Sequence, residues 1–237
     1  MKVFNIFKSI VAEGPYAGTP ASYIQLYGCN LDCNWCGVRC ICRGKKYTDM
    51  HFDSILDILE GHNLELVVIT GGEPLIQPAL HNLVNRILEL GYQVNIETNG
   101  SKSIQNFCSN LDIGLWDLYT DVLTFTVNYK LPSSGGEPEM LMENLIFSAK
   151  YPMWCANTFT VGSPDDLPVV KRVIKQFALE RCFLSAVYDI MGGMELADWL
   201  LHEANTDIAD VVKLCHQPRQ INIMPGTLGL HKFDIQA

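Results

Sequence analysis

Basic residues are scarce in this chain: 17 lysines and arginines stand against 26 acids, for a net charge of −9. A protein that grips nucleic acid nonspecifically needs Lys and Arg to meet phosphates, so that class is excluded and a small-molecule or protein substrate is favoured. Long hydrophobic runs are missing too. Although 48% of the residues are apolar, no uncharged run approaches the roughly 20 residues of a membrane span. The opening MKVFNIFKSIVAEG has no basic segment followed by a long apolar stretch, so no signal peptide is expected. Internal repeats and low-complexity tracts are absent, and KLPSSGGEPE (130–139) reads as a flexible loop. The nine cysteines are odd in number and clustered, without the even framework of a secreted disulfide scaffold. A reducing cytoplasm and metal ligation fit better.

What is present is an alternation of β-rich runs and amphipathic helical patterns. Strands are expected at 21–28, 64–70, 92–98, 121–127, 153–161, 182–187 and 220–224. Between them, FDSILDILEG places Phe52, Ile55, Leu56 and Leu59 on one helical face with Gly61 as its stop. PALHNLVNRILELG carries Pro78 at its first turn and Gly91 at its end. Further helices are expected near 138–150, after Ser163-Pro164 with Asp165 and Asp166 in the first turn, and over 194–204. Repeated βα units imply parallel strands with right-handed crossovers, in one domain spanning 1–237. Chemistry then gathers at the C-terminal strand ends.

One such end opens into GCNLDCNWCGVRCIC (28–42), which holds five of the nine cysteines. Cys29, Cys33 and Cys36 form C-x3-C-x2-C, and three thiolates on one loop suit three irons of a [4Fe–4S] cluster, leaving the fourth iron open. Two other readings compete. Cys33 and Cys36 could be a redox dithiol, or Cys33, Cys36, Cys40 and Cys42 a closed zinc knuckle. TGGEP (70–74) follows a buried strand: Gly71 and Gly72 permit close backbone approach, and Glu73 offers a carboxylate suited to the ammonium of an amino-acid-like cofactor.

With Trp35 at the aromatic position of the cysteine loop and Gly71-Gly72-Glu73-Pro74 behind it, the chain resembles the radical S-adenosylmethionine (SAM) superfamily. The resemblance implies an α/β fold, a partial TIM-like barrel of about six parallel strands forming a radical SAM core. It also implies that Cys29, Cys33 and Cys36 hold the cluster while SAM takes the fourth iron. One electron then cleaves SAM to methionine and a 5′-deoxyadenosyl radical, which abstracts hydrogen from substrate.

SIVAEGPYAGTPASYIQLYGCNLDCNWC, ETNG, YKLPSSG, FTVGSPDDL and GLHK narrow the resemblance to the 7-carboxy-7-deazaguanine synthase family. Its members contract 6-carboxy-tetrahydropterin into a deazaguanine precursor of queuosine-type nucleosides. On that basis Trp35, Gly71, Gly72, Glu73, Pro74, Glu97, Thr98, Asn99 and Lys130 are assigned to SAM. Glu13, Gly14, Gln25 and His231 are assigned to a small heterocyclic substrate, with a C-terminal tail (225–237) near it. A reduced flavodoxin- or ferredoxin-type electron donor, a homodimer and a cytoplasmic location follow from the same resemblance.

Departures from the family concentrate on the substrate side. Gln25 stands where the family has an arginine, whose charged fork an amide cannot replace. Gly37 and Val38 replace Asp-Thr, and valine offers a hard cation only its backbone carbonyl, which makes Mg²⁺ dependence doubtful. Thr158 replaces a lysine, and 185–189 depart from the family's later strand motif. Two alternatives therefore accompany ring contraction: a paralogue acting on a different small heterocycle, and a catalytically silent cluster-binding protein. Cys40 and Cys42 read as free thiols, and Cys108, Cys155, Cys182 and Cys215 as small buried residues.

Overall fold

The computed structural model describes residues 1–44, 46–112, 122–187, 193–202 and 205–215. Among these, nine strands form a single sheet: β1 (Lys2–Ile10), β2 (Pro20–Leu26), β3 (Thr48–Asp49), β4 (Leu66–Gly71), β5 (Gln93–Thr98), β6 (Leu123–Tyr129), β7 (Cys155–Val161), β8 (Cys182–Ala186) and β9 (Val212–Leu214). Their order is β3-β1-β2-β4-β5-β6-β7-β8-β9. From β2 onward every pairing is parallel, whereas β1 runs antiparallel to both β2 and β3. The edges β3 and β9 do not pair with each other, so the barrel is open. The expected six parallel strands are β2 and β4–β8, and the three-residue β9 adds a seventh. β1, β3 and β9 were not anticipated. The strand expected at 220–224 lies outside the described residues.

Among the described residues eight α-helices accompany the sheet: α1 (Arg39–Arg43), α2 (Phe52–His62), α3 (Leu80–Glu89), α4 (Ile104–Ser109), α5 (Met142–Lys150), α6 (Asp166–Phe177), α7 (Gly193–Leu201) and α8 (Thr206–Ala209). Ile55, Leu56 and Leu59 of α2 are buried, as their spacing requires. The helix does not stop at Gly61, however. It ends one residue later, and Asn63 takes the left-handed turn at φ 52°. α3 starts at Leu80, after Pro78, and Gly91 follows its end at φ +85°.

Strand register explains how the sheet serves two purposes, because residues two apart share a face. One face carries Ile24, Leu26, Val67, Ile69, Val94, Ile96, Phe125 and Val127, all buried in the main core with α2, α3 and α4. The other carries Gln25, Thr70, Asn95, Glu97, Thr124, Thr126, Asn128, Thr158, Thr160 and Ser185. The segment after β1 folds onto this polar face: Gly14 is buried in a 3-10 turn, and the Tyr16 hydroxyl lies 3.0 Å from Thr124 Oγ1. A lining of hydroxyls, amides and carboxylates inside an open barrel prepares a polar ligand site. No described helix is long and apolar enough to cross a membrane.

Candidate active site

The cysteine loop leaves β2 at the C-terminal edge of the sheet and lies against the end of β4. Gly72 N–H donates to the Leu26 carbonyl (3.1 Å) and Glu73 N–H to the Gly28 carbonyl (2.8 Å). The glycines make this possible. A Cβ at Gly71 would stand 2.1 Å from the Leu26 carbonyl oxygen, and one at Gly72 1.9 Å from that of Gly28. The close approach expected of this pair is thus to the backbone of β2 and the cysteine loop.

Cys33 is buried, and Cys29, Cys36 and Cys42 are half-buried. All four border one cavity, together with Val38, Thr70, Gly71, Gly72, Glu97, Thr98, Asn99, Asn128 and Lys130. The Cys42 thiol is within hydrogen-bonding reach of Cys29 and Cys36 and draws them below the usual thiol range, while burial raises Cys33. Cys29 Sγ also receives the Leu31 N–H at 3.4 Å and the Asn99 side-chain amide at 3.7 Å. Among the described residues no three His, Cys, Asp or Glu side chains form a ready site for a single metal ion. The four thiols line a wider space. Soft sulfur donors around a shared cavity, with N–H groups aimed at Cys29, fit an iron–sulfur cluster.

Glu73 closes the site's floor. It is 0% exposed. One carboxylate oxygen accepts from Leu75 N–H (3.0 Å) and the Thr98 hydroxyl (2.8 Å), and the other from Asn99 N–H (2.6 Å). Asn99 in turn holds Ser101 through its side-chain carbonyl. The acid therefore joins the ends of β4 and β5 and sets the amide that faces Cys29. Pro74 opens the 3-10 turn that follows.

A second clamp holds the other side of the cysteine loop. KLPSSGGEPE is no free loop: it forms two 3-10 turns, and Ser134 is completely buried. Asn34 N–H donates to the Ser134 carbonyl (2.9 Å), the Asn34 amide to the Ser133 carbonyl (3.0 Å), and Trp35 Nε1 to the Ser133 hydroxyl (3.4 Å). Lys130 donates to Asn128 Oδ1 (2.9 Å), with Nζ 6.0 Å from the Trp35 ring centre. Underneath sits Asp166, fully buried, accepting from Ser133 N–H and hydroxyl, Gly162 N–H and Ser163 N–H. The sequence suggested only a helix-dipole role for this residue. Removing it orphans these buried donors, so Asp166→Ala should cost about 3 kcal/mol and lower cluster uptake on reconstitution. Iron analysis together with thermal denaturation checks this, and unchanged values for both would exclude the clamp.

The polar face below the cavity presents Glu13, whose carboxylate is 3.5 Å from the Ser185 hydroxyl. Burial and the charge of Glu97 push Glu13 up to about 7, while Ser185 and Lys130 oppose. Burial also raises Glu97, against a hydrogen bond from Thr70. Gln25 and Thr70 are register partners on this face. The buried Thr158 hydroxyl, one row along from Asn128, has no hydrogen-bond partner among the described residues. His231, the 225–237 tail, and residues 188–189 of the later strand motif lie outside the described residues. Of the scattered cysteines, Cys108, Cys155 and Cys182 are buried, but Cys215 is half-buried near Glu13 at the end of β9.

Comparison with known proteins places residues 23–166 within the model of the radical SAM superfamily. The chain is 32% identical over 212 residues to the 7-carboxy-7-deazaguanine synthase of Clostridium acetobutylicum, covering 87% of this chain and 90% of that one. It is 33% identical over 150 residues to the enzyme of the same name from Thermoplasma acidophilum, covering 63% and 66%. In fold it matches the crystal structure of QueE from Escherichia coli with a TM-score of 0.67, at 22% identity, over 92% of this chain and 94% of that one.

Proposed function

The chain belongs to the radical SAM superfamily and, within it, to the 7-carboxy-7-deazaguanine synthase family, and from that membership we propose that it contracts 6-carboxy-tetrahydropterin to 7-carboxy-7-deazaguanine. The observation that carries this reading is identity of 32% spread over nearly the full length of both chains, with the cysteines and the Gly71-Gly72 pair meeting at one cavity. Cys29, Cys33 and Cys36 would hold a [4Fe–4S] cluster, which when bound supplies the electron that cleaves SAM. Gly71 to Pro74, Thr98, Asn99, Glu97, Lys130 and Trp35 would bind SAM. Lys130 brings a cation to the cavity wall, and Glu73 keeps the backbone of Asn99 in place.

Glu13 presents its carboxyl to a heterocycle lying on the polar face. Near neutrality Glu13 is poised between its two protonation states, so it can hold a proton against a ring nitrogen or accept one from a ring N–H. Gly14 shapes the turn beside it. The position of the family's Mg²⁺-ligating hydroxyl is Val38, 37% exposed and without side-chain oxygen, and it does not fit a hard cation. The electron donor is proposed to be of the flavodoxin or ferredoxin type, and the assembly a homodimer.

A second reading, a different small heterocycle as substrate, is favoured by two features of the pocket. Gln25 leaves the polar face without the family's arginine, and Thr158, whose hydroxyl has no hydrogen-bond partner among the described residues, puts a neutral group where the family has a lysine. Anaerobic incubation with SAM, dithionite and 6-carboxy-tetrahydropterin, read by mass spectrometry, separates the two. Deazaguanine product with 5′-deoxyadenosine is the expected result. 5′-Deoxyadenosine alone would overturn the substrate assignment and leave the second reading.

A further inference from the structure

Cys42 has a place in the site but no task in the proposed function. It sits on the five-residue helix α1, which contacts fix against the cysteine loop. The Ile41 side chain is buried, its carbonyl accepts Gly28 N–H (3.3 Å), and Cys42 N–H donates to the Val38 carbonyl (3.1 Å). Arg39 and Arg43 both reach Asp32, at 3.3 and 2.9 Å, and Arg39 also donates to the Cys33 carbonyl at 2.8 Å. The Tyr27 hydroxyl donates to the Gly44 carbonyl just past the helix. These ties return the chain to the mouth of the loop. The Cys42 thiol there meets the sulfurs of Cys29 and Cys36 and borders the cavity that Cys33 also lines.

Four thiols therefore face one space, where the C-x3-C-x2-C loop alone supplies three. Resting on the reading that Cys29, Cys33 and Cys36 hold a [4Fe–4S] cluster, we propose that Cys42 is a fourth thiolate, ligating the remaining iron while SAM is absent and giving way when SAM binds. Thiolate is a strong, soft ligand for such an iron. The exchange breaks one iron–sulfur bond as the amino and carboxylate groups of SAM bind the same iron. The released thiolate takes a proton from solvent, and no electron moves. Withdrawal is feasible because Cys42 is half-buried on a short surface helix held by two half-exposed ion pairs, each worth little in water. The cluster would be closed at rest, and the enzyme would open it only for its cosubstrate.

The test compares reconstituted full-length wild type with Cys42→Ala, without turnover. Both should load four irons. Brief mild oxidation without SAM should leave the wild-type cluster intact, while the variant sheds its unprotected iron and gives on the order of five-fold more of the three-iron signal by electron paramagnetic resonance. SAM, titrated by its perturbation of the reduced cluster's spectrum, should half-saturate the variant at a concentration about ten-fold lower, because no internal ligand competes. Equal three-iron signals and equal half-saturation would overturn the inference alone. A wild type that takes up zinc or no cluster would overturn the underlying reading with it. Alkylation of loaded wild type, mapped by peptide mass spectrometry, needs no variant to fold. Cys42 should react on the order of five-fold faster once SAM is added, while Cys29, Cys33 and Cys36 stay protected. An unchanged rate at Cys42 counts against the fourth thiolate.

Discussion

Gly72→Ala is expected to yield a protein that cannot hold its cluster, although the change adds one methyl group. The new Cβ would stand 1.9 Å from the Gly28 carbonyl oxygen, 2.5 Å from its carbon and 3.0 Å from Cys29 Cβ. The first two are backbone atoms, so no side chain can swing aside. Relief requires the end of β4 and the cysteine loop to part, which breaks the bonds from Gly72 N–H to Leu26 and from Glu73 N–H to Gly28. Overpacking and the lost bonds together should cost about 4 kcal/mol, lowering the melting temperature by about 10 °C in a chain of this size. Cys29 moves with the loop, so reconstituted iron should fall to near background. Gly61→Ala is the control, since nothing lies within 4 Å of its added Cβ. A Gly72→Ala protein with wild-type stability and iron would show that the strand end and the loop are not locked together.

The same glycines show where sequence reading succeeds and where it stops. Their order and spacing with the cysteines were legible, because the motif is local. What they approach was not: a glycine pair permits closeness without naming the neighbour, and here the neighbour is backbone 44 and 45 residues earlier, at Gly28 and Leu26. Helices α2 and α3 were legible from their apolar periodicity, and the central parallel strands from their β-rich runs. β1 was missed because it is an antiparallel flank with little burial beyond Val3. α1 is too short to show a period, so the route that brings Cys42 to the cavity depends on Tyr27–Gly44, Gly28–Ile41 and Asp32–Arg43, which no local pattern contains. Asp166 looked like one of two acids opening a helix. Its burial beneath Ser133 comes from tertiary structure, and helix-start preference says nothing about it.

Glu73 couples stability, proton and cofactor at one buried carboxyl. Burial pushes it from 4.5 up to about 7, with the charge of Cys29 adding to the rise and the donors Asn99, Thr98 and Leu75 opposing it. The native state thus keeps a proton that the unfolded chain releases near 4.5. The associated stability is fully present below that value and is lost as pH rises through 7, about 3 kcal/mol in all. Glu73→Gln cannot titrate, so urea denaturation of SAM-free protein from pH 5 to 8 should show wild type losing that amount relative to the variant. Subtracting the variant also removes the parallel contribution of Glu13, itself raised to about 7. Curves that stay parallel across the range would mean Glu73 keeps its charge in the folded state. SAM is proposed to bind beside Asn99, whose backbone N–H the ionised Glu73 carboxylate holds, so binding must first release the proton. The wild-type dissociation constant for SAM should then fall about ten-fold per pH unit below 7 and level off above it. In Glu73→Gln this slope should vanish, because the proton it reports is gone.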